Sequence, residues 1–106
     1  METQTVGKVK LPSIQHYCDY ARGNYGVHCL MVELGPVRVW FSYTTPVGFQ
    51  VDGHCRVVHK NDWGPTTGRH LNAIDDGDKK SRVSGEDFER LWQEQVAPLL
   101  AKGYDL

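Results

Sequence analysis

Four short runs rich in β-branched and aromatic residues, separated by turn-forming residues, constrain the fold of this chain most strongly. The runs are VHCLMVEL from residue 27, VRVWFSY from residue 37, VGFQV from residue 47 and HCRVVH from residue 54. Residues of these types favour strands, and both Gly35-Pro36 and Asp52-Gly53 are typical of turns between strands. The order predicts an antiparallel β-meander of three to five strands.

The second run alternates in a way that assigns its residues to two faces. One set contains Val37, Val39, Phe41 and Tyr43, and the other contains Arg38, Trp40 and Ser42. Successive side chains of a strand point to opposite faces of the sheet. We therefore expect the first set on the core side.

Two further positions predict the local shape of the sheet. Pro46 has no amide hydrogen for a ladder, which predicts a bulge or an edge position. Asp52-Gly53 predicts a tight type I′ hairpin turn, because both central positions of that turn need positive φ.

Helical spacing begins after Trp63. Thr66 or Thr67 is a suitable N-cap, and Leu71 and Ile74 are spaced to form one buried stripe. We expect this short helix to end near Gly77, and KKSRV from residue 79 to add a brief strand.

The clearest helix is predicted over residues 84–102. Ser84 and Asp87 resemble a capping box, and one apolar face follows at helical spacing. The residues of this face are Phe88, Leu91, Trp92, Val96, Leu99 and Leu100. Pro98 predicts a kink or an end near Ala97. A sheet with a C-terminal helix packed on one face defines an α+β fold.

The N-terminal segment supports two interpretations. Residues 1–10 are polar and expected to be loose. Ser13 is a suitable cap for a helix from Ile14 to about Arg22, whereas the aromatic residues of the segment favour a strand. The 106 residues are expected to form a single domain.

Charge and composition exclude several classes of function. Twelve Lys and Arg face thirteen Asp and Glu, so no global field attracts nucleic acid or anionic lipid. No apolar run approaches the length of a membrane helix. Three cysteines are an odd number, which argues against a disulfide framework and favours a reducing cytoplasm. We expect no cofactor and no membrane partner.

The segment WGPTTGRHLN is a candidate anion site. With Thr67 as cap, the amides of Gly68, Arg69 and His70 would form a free first turn, and helix N-termini bind anions. The spacing of Gly64 and Gly68 does not match a P-loop. The alternative is an ordinary helix start.

A basic set offers a related hypothesis. Its members are Arg56, Lys60, Arg69, Lys79, Lys80 and Arg82, with Trp40 and Trp63 as aromatic neighbours. Such interleaving is typical of single-stranded nucleic-acid sites. Five aspartates lie in the same segment, however, and a solvated face of mixed sign is the alternative.

Histidines lie beside cysteines at three places, namely His16 with Cys18, His28 with Cys29, and His54 with Cys55. Their spacing matches no standard zinc site, and sequence alone does not show a thiol paired with a base. The acidic group Asp75, Asp76 and Asp78 fails the spacing of a calcium loop. We therefore predict no metal site and no catalytic residues, and a small enzyme that uses a Cys-His pair is the third hypothesis.

Three large aromatic residues suggest a protein-binding surface. Trp40, Tyr43 and Trp63 exceed what a small core readily holds, and exposed aromatic clusters are typical of binding hot spots. The alternative is that Trp40 covers the second face of the sheet against the N-terminal segment.

Two segments together resemble a family of short uncharacterised proteins of bacteriophages and other mobile elements. FSYTTPVGFQV resembles the family's S-Y-x-T-P-V-A-F strand, and TTGRHLN resembles its T-T-G-K-H-L-N segment. The resemblance spans about residues 37–92, with Gly48 and Arg69 departing from the alanine and lysine of the pattern. It directs attention to Tyr43, Thr66, Thr67, Gly68, Arg69, His70 and Asn72, and it implies an accessory role during infection.

The leading hypothesis is a small non-enzymatic accessory protein of phage type that binds a host or viral macromolecule. The most favoured partner is a protein, and inhibition of a bacterial defence component is one such role. The alternative hypothesis is a nucleic-acid or phosphate-binding module that uses Thr67, Gly68, Arg69 and nearby basic residues.

Overall fold

The computed structural model describes residues 5–6, 9–18 and 28–103. Its strands are β1 (Thr5–Val6), β2 (Val9–Lys10), β3 (Ser13–His16), β4 (Cys29–Leu34), β5 (Val37–Ser42), β6 (Thr45–Val51) and β7 (Val57–Val58). Its helices are α1 (Pro65–Asp75), α2 (Gly85–Gln95) and α3 (Ala97–Gly103), with a 3-10 helix at Lys79–Ser81. None of the helices in these ranges is long and apolar enough to span a bilayer.

Strands β3 to β7 form a five-stranded antiparallel sheet in chain order, which confirms the predicted meander and α+β class. Residues Ser13–His16 form a strand, so the helical interpretation of this segment is wrong there. The remainder of that predicted helix, from residue 19 onward, lies outside the described residues. Strands β1 and β2 pair with each other in the segment that we expected to be loose.

The turns of the sheet agree with the sequence except at one hairpin. The register of β5 against β6 shifts between Trp40 and Phe41, which is the bulge that Pro46 predicts. The prediction of a type I′ turn at Asp52-Gly53 is wrong, because that turn needs positive φ at both residues. Gly53 has a positive φ of 87° but Asp52 does not. Because β7 pairs only through Val57 and Val58, the connection runs from residue 52 to 56.

Helices cover both faces of the sheet. On one face Val39 and Phe49 pack with Phe88 of α2 and with Val96, in a core cluster of buried residues. On the other face α1 buries Leu71 in a second cluster, described below. The apolar residues of both clusters supply the main stabilising term of the fold.

The buried face of α1 packs on the second core cluster of the molecule. Val47 and Val58 pack with Leu71 and Ile74, and Trp40 covers the edge of this cluster. Trp40 therefore covers the second sheet face, where it packs on the cluster under α1. Tyr43 is not on the core side, because β5 ends at Ser42 and Tyr43 lies exposed in the following turn with a φ of 57°.

Helix α1 begins earlier than predicted. Gly64 occupies the N-cap position without a side-chain cap, and Pro65 follows as a helical residue. The prediction of Thr66 or Thr67 as cap is wrong, because proline is well suited to the first helical turn and starts the helix ahead of both threonines. The end of α1 at Asp75, followed by Asp76 and Gly77 with positive φ, agrees with the predicted end.

The C-terminal helical region divides into two helices. Ser84 caps α2 by accepting a hydrogen bond from the backbone N–H of Asp87 at 3.2 Å, as predicted. Helix α2 ends at Gln95 and α3 starts at Ala97, which is the break that Pro98 predicts. The predicted strand in KKSRV is wrong, since residues Lys79–Ser81 form a 3-10 helix and only Val83 makes a bridge, to His59.

Candidate functional site

The TTGRHLN segment lies on α1 and presents two faces. Thr67, His70 and Leu71 follow at i, i+3 and i+4, and all three are buried against the sheet. Gly68 and Asn72 follow at i and i+4 and line a polar cleft on the other side of the helix. One short segment therefore anchors the helix and forms part of a surface site.

A buried network joins α1 to the end of β5. The Oγ of Ser42 lies 3.0 Å from Oγ1 of Thr67 and 2.7 Å from Nδ1 of His70. Ser42 is 2% exposed and His70 is fully buried. We did not predict Ser42 as a site residue, although it stands in the FSYTTPVGFQV segment next to the predicted Tyr43.

Aromatic rings surround His70. The ring centroid of Tyr17 lies 6.3 Å away and that of Tyr43 lies 5.8 Å away, while His28 stacks on Tyr43 at 4.7 Å. Burial lowers the pKa of His70, and the nearby His28 lowers it further. The imidazole of His70 is therefore neutral near pH 7 and serves as a hydrogen-bonding group.

The contact between Ser42 and His70 resembles a nucleophile with its base, but its burial blocks access for a substrate. Two of the three cysteines are also buried, and Cys29 donates from Sγ to the carbonyl oxygen of Cys18 at 2.8 Å. Within the described ranges, no group of three or more His, Cys, Asp and Glu is arranged to hold a metal. These groups support the fold.

A cationic cleft lies between α1, the segment before it and the 3-10 helix. Its volume is about 220 Å³. Its walls are formed by Lys60, Asn61, Gly68, Asn72, Lys79 and Arg82. Three cations thus converge from two segments that are separated by the length of α1.

Arg82 is held rigidly in this cleft. Its Nε donates to Oδ2 of Asp75 at 2.7 Å, and its Nη2 donates to Oδ1 of Asp75 and to Oδ1 of Asn72, both at 2.9 Å. The side chains of Arg82 and Asp75 are only 4% and 5% exposed. Burial alone raises the pKa of Asp75, but the hydrogen bonds and charge of Arg82 outweigh it and leave the pKa below its usual value.

An aromatic groove of about 400 Å³ lies on the opposite side of the segment before α1. The His59 ring lies between Trp63 and Phe88, with centroid distances of 4.6 and 5.0 Å. Trp92 and Pro46 line the same groove, and Glu89 and Gln93 add polar atoms. Trp63 remains 47% exposed, so a large indole face is open to a partner.

The predicted site residues separate into five groups. Gly68, Asn72, Lys79 and Arg82 line the cationic cleft, and Trp63 lines the aromatic groove. Thr67 and His70 belong to the buried network, while Trp40 packs over α1. Tyr43, Thr66, Arg69 and Lys80 line neither the cleft nor the groove.

Several residues of both surfaces were not predicted. Asn61 was missed in the cleft, as were His59, Phe88 and Glu89 in the groove. His59 and Asn61 share one signal, because residues 59–64 lie between a buried strand and a proline-initiated helix. Loops at such positions often carry function. Phe88 and Glu89 lie on α2 instead.

The fold and the two surfaces define a small α+β domain with a cationic cleft and an aromatic groove on either side of one loop. The chain belongs to DUF8033, a family of unknown function whose model matches residues 12–90. All six residues of the cationic cleft fall within that range. No curated protein matches the chain, and no solved structure matches it.

Proposed function

We propose that this protein is a non-enzymatic binding module that docks a basic segment of a partner protein into the aromatic groove. The observation behind the proposal is the half-exposed side chain of Trp63. It contacts the His59 ring and lines a groove of about 400 Å³. Tryptophan is enriched in binding hot spots because it buries much area at little conformational cost.

The position of Trp63 is fixed before any partner binds. Its backbone N–H donates to Oδ1 of Asn61 at 3.0 Å, and the same oxygen accepts from Gly64 N–H at 3.1 Å. The Asn61 amide also donates to the Gly64 carbonyl at 2.9 Å. These bonds fix the backbone at Trp63, and the indole ring contacts the His59 ring at a centroid distance of 4.6 Å. A backbone that is already ordered loses little freedom on binding, which favours affinity.

Charge at the groove favours a basic partner. Glu89 lines the groove, and the Asp62 carboxylate lies 4.0 Å from Nδ1 of His59. Exposed carboxylates continue along α2 at Glu86, Asp87 and Glu94, with Arg90 as the basic residue among them. An arginine or lysine of a partner would meet carboxylates together with the faces of Trp63 and Trp92, which is the chemistry of cation–π recognition.

The partner would be a host or viral protein of the bacterial cytoplasm. The resemblance of FSYTTPVGFQV and TTGRHLN to bacteriophage segments supports an accessory role during infection. Inhibition of a bacterial defence component is the form of that role that we favour. Such a role needs a binding surface and no reacting group. The burial of Ser42 and His70, which would be the obvious reacting pair, agrees with this.

The test is capture of a stoichiometric partner from lysates of candidate bacterial hosts, with two variants compared. We expect Trp63→Ala to weaken the captured complex by about tenfold or more, as for a hot-spot residue. Tyr43→Ala is the matched control, because Tyr43 is also an exposed aromatic residue but does not line the groove. Equal loss with both variants, or no stoichiometric partner, contradicts the proposal.

A second variant tests the charge of the partner. Glu89→Lys reverses the charge at the groove and is expected to abolish capture of a basic segment. Unchanged capture by Glu89→Lys would show that the partner is not selected by its positive charge.

A further inference from the structure

We propose that the cationic cleft is a second binding site, which takes the terminal phosphate of a small phosphorylated molecule. The cleft does not share its lining residues with the aromatic groove. The inference is therefore independent of the protein-binding role. The proposed anion site also differs from the start of α1, where the sequence suggested one.

The start of α1 does not present the free amides that the sequence suggested. The Gly68 N–H already donates to the Gly64 carbonyl at 2.9 Å, since α1 begins at Pro65. Arg69, which was expected to contribute charge there, does not line the cleft. The cations that converge instead are Lys60, Lys79 and Arg82.

Two of these cations keep their charge available. Across the ranges that the structure describes, neither Lys60 nor Lys79 forms an ion pair, and both are exposed. Lysine binds phosphate as a mobile point charge. Two such charges at one small cleft match the double charge of a phosphate monoester near pH 7.

Arg82 adds a fixed donor set at the wall of the cleft. Its Nε and Nη2 donate to Asp75 and Asn72, which uses three of the five N–H donors of the rigid guanidinium. Among the residues that the structure describes, the two N–H groups of Nη1 donate to no residue, so they are the donors that Arg82 offers at the cleft. Asn72 accepts from Arg82 through Oδ1, which directs its amide nitrogen away from Arg82. In the described part of the chain that nitrogen donates to no residue, so it is a further donor at the cleft.

Gly68 keeps the cleft open on the side of Asn61. A Cβ at this position would lie 3.0 Å from Nδ2 of Asn61, closer than such atoms normally approach. Asn61 in turn holds the loop through its contacts to Trp63 and Gly64. A side chain at residue 68 would therefore displace the amide that forms this wall.

The charge around the cleft favours a small phosphate over a nucleic-acid strand. The exposed aspartates Asp62 and Asp78 adjoin the cleft residues Asn61 and Lys79 in the chain, and the whole chain has a formal charge of −1. An extended polyanion would run past these carboxylates, whereas a terminal phosphate would meet only the cations inside. A strand also needs a longer basic track than one cleft of about 220 Å³.

Binding is measured by calorimetry and by amide NMR shifts at physiological ionic strength, with four probes. These are inorganic phosphate, adenosine monophosphate, adenosine, and a single-stranded oligonucleotide without a terminal phosphate. We expect phosphate and adenosine monophosphate to shift residues 60–61, 68–72 and 79–82, and adenosine to shift none. Tighter binding of adenosine monophosphate than of phosphate would identify a phosphorylated metabolite rather than the free ion as the ligand.

Exposed lysines provide the variants, because replacing Arg82 would also break its buried pair with Asp75. Lys60→Gln and Lys79→Gln are each expected to weaken phosphate binding by about tenfold, the effect of losing one charge-assisted contact. Lys80→Gln is the matched control, since Lys80 adjoins Lys79 in the 3-10 helix but does not line the cleft.

Three outcomes overturn the inference. They are no shift with any phosphate probe, equal weakening by Lys79→Gln and Lys80→Gln, or binding of the oligonucleotide alone. Trp63→Ala is expected to leave phosphate binding unchanged, so a failure of this site and a failure of the aromatic groove give different results.

Discussion

The Oγ of Ser42 lies 2.7 Å from Nδ1 of His70, although 28 residues separate them in the chain. Thr67 joins the same hydroxyl at 3.0 Å. The network fixes how α1 sits on the sheet, and through Gly68 and Asn72 it also fixes the wall of the cationic cleft. Buried polar contacts of this kind orient an element more strictly than apolar packing does.

Ser42→Ala is expected to lower the free energy of unfolding by about 1–3 kcal/mol, because it leaves buried polar atoms of His70 and Thr67 without their partner. Urea denaturation followed by tryptophan fluorescence measures the change. Ser13→Ala is the control, since Ser13 is exposed and its bond to Glu33 is long at 3.4 Å. If both variants lose the same stability, the network does not hold α1.

The stability of the protein is expected to fall as the pH drops below about 6.5, the ordinary pKa of histidine. The pKa of His70 in the folded protein is lowered by burial and by His28. Below pH 6.5 His70 therefore binds a proton more readily in the unfolded chain than in the folded protein, so the free energy of unfolding decreases as the pH falls. Above that value this contribution is fully present.

Urea denaturation from pH 7.5 to 5.5 measures this dependence, and NMR titration assigns it to His70. His70→Gln retains hydrogen-bonding capacity without titrating, so its stability should depend less on pH over the same range. A slope equal to that of the unmodified protein would assign the dependence to other groups.

Much of the fold follows from local chemistry that the sequence displays. The alternation of Val37 and Val39, and the Gly35-Pro36 turn, predict the second hairpin of the sheet without tertiary information. Ser84 and Pro98 likewise predict where the C-terminal helices start and break. In each case the backbone has one favoured conformation, and the packing agrees with it.

The parts that escaped prediction have two causes, namely competition between local signals and contacts between distant segments. Pro65 moves the start of α1 forward by a local rule that competes with the capping threonines. The partnership of Ser42 with His70, and the meeting of His59 with Phe88, depend on how helices cross the sheet. Spacing along the chain carries no signal for either contact.

The buried ion pair between Asp75 and Arg82 makes a second stability prediction. Asp75→Asn is expected to cost about 3–5 kcal/mol, because it leaves the Arg82 guanidinium buried without its countercharge. Asp87→Asn is the control, since the pair of Asp87 with Arg90 is exposed and should contribute little.

Thermal and urea denaturation of Asp75→Asn and Asp87→Asn measure the change in the free energy of unfolding. The double variant Asp75→Leu with Arg82→Leu should recover part of the loss, since no unpaired charge then remains buried. A large loss in Asp87→Asn, or none in Asp75→Asn, would show that burial does not govern these pairs.

The two tryptophans of the aromatic groove are expected to differ in what they contribute to stability. Trp92 is partly buried against the core cluster, with its ring centroid 5.4 Å from that of Phe49, so Trp92→Ala should cost about 3 kcal/mol. Trp63 contacts the His59 ring but is half-exposed, so Trp63→Ala should change the free energy of unfolding by less than about 1 kcal/mol.

Denaturation of the two variants side by side tests this difference. If Trp63→Ala stays folded, a loss of partner capture by this variant reports on the groove surface rather than on the fold. The residue is then large, apolar and dispensable for stability, a combination that is explained by binding. If Trp63→Ala instead unfolds as readily as Trp92→Ala, Trp63 stabilises the core, and its exposure no longer supports a binding role for the groove.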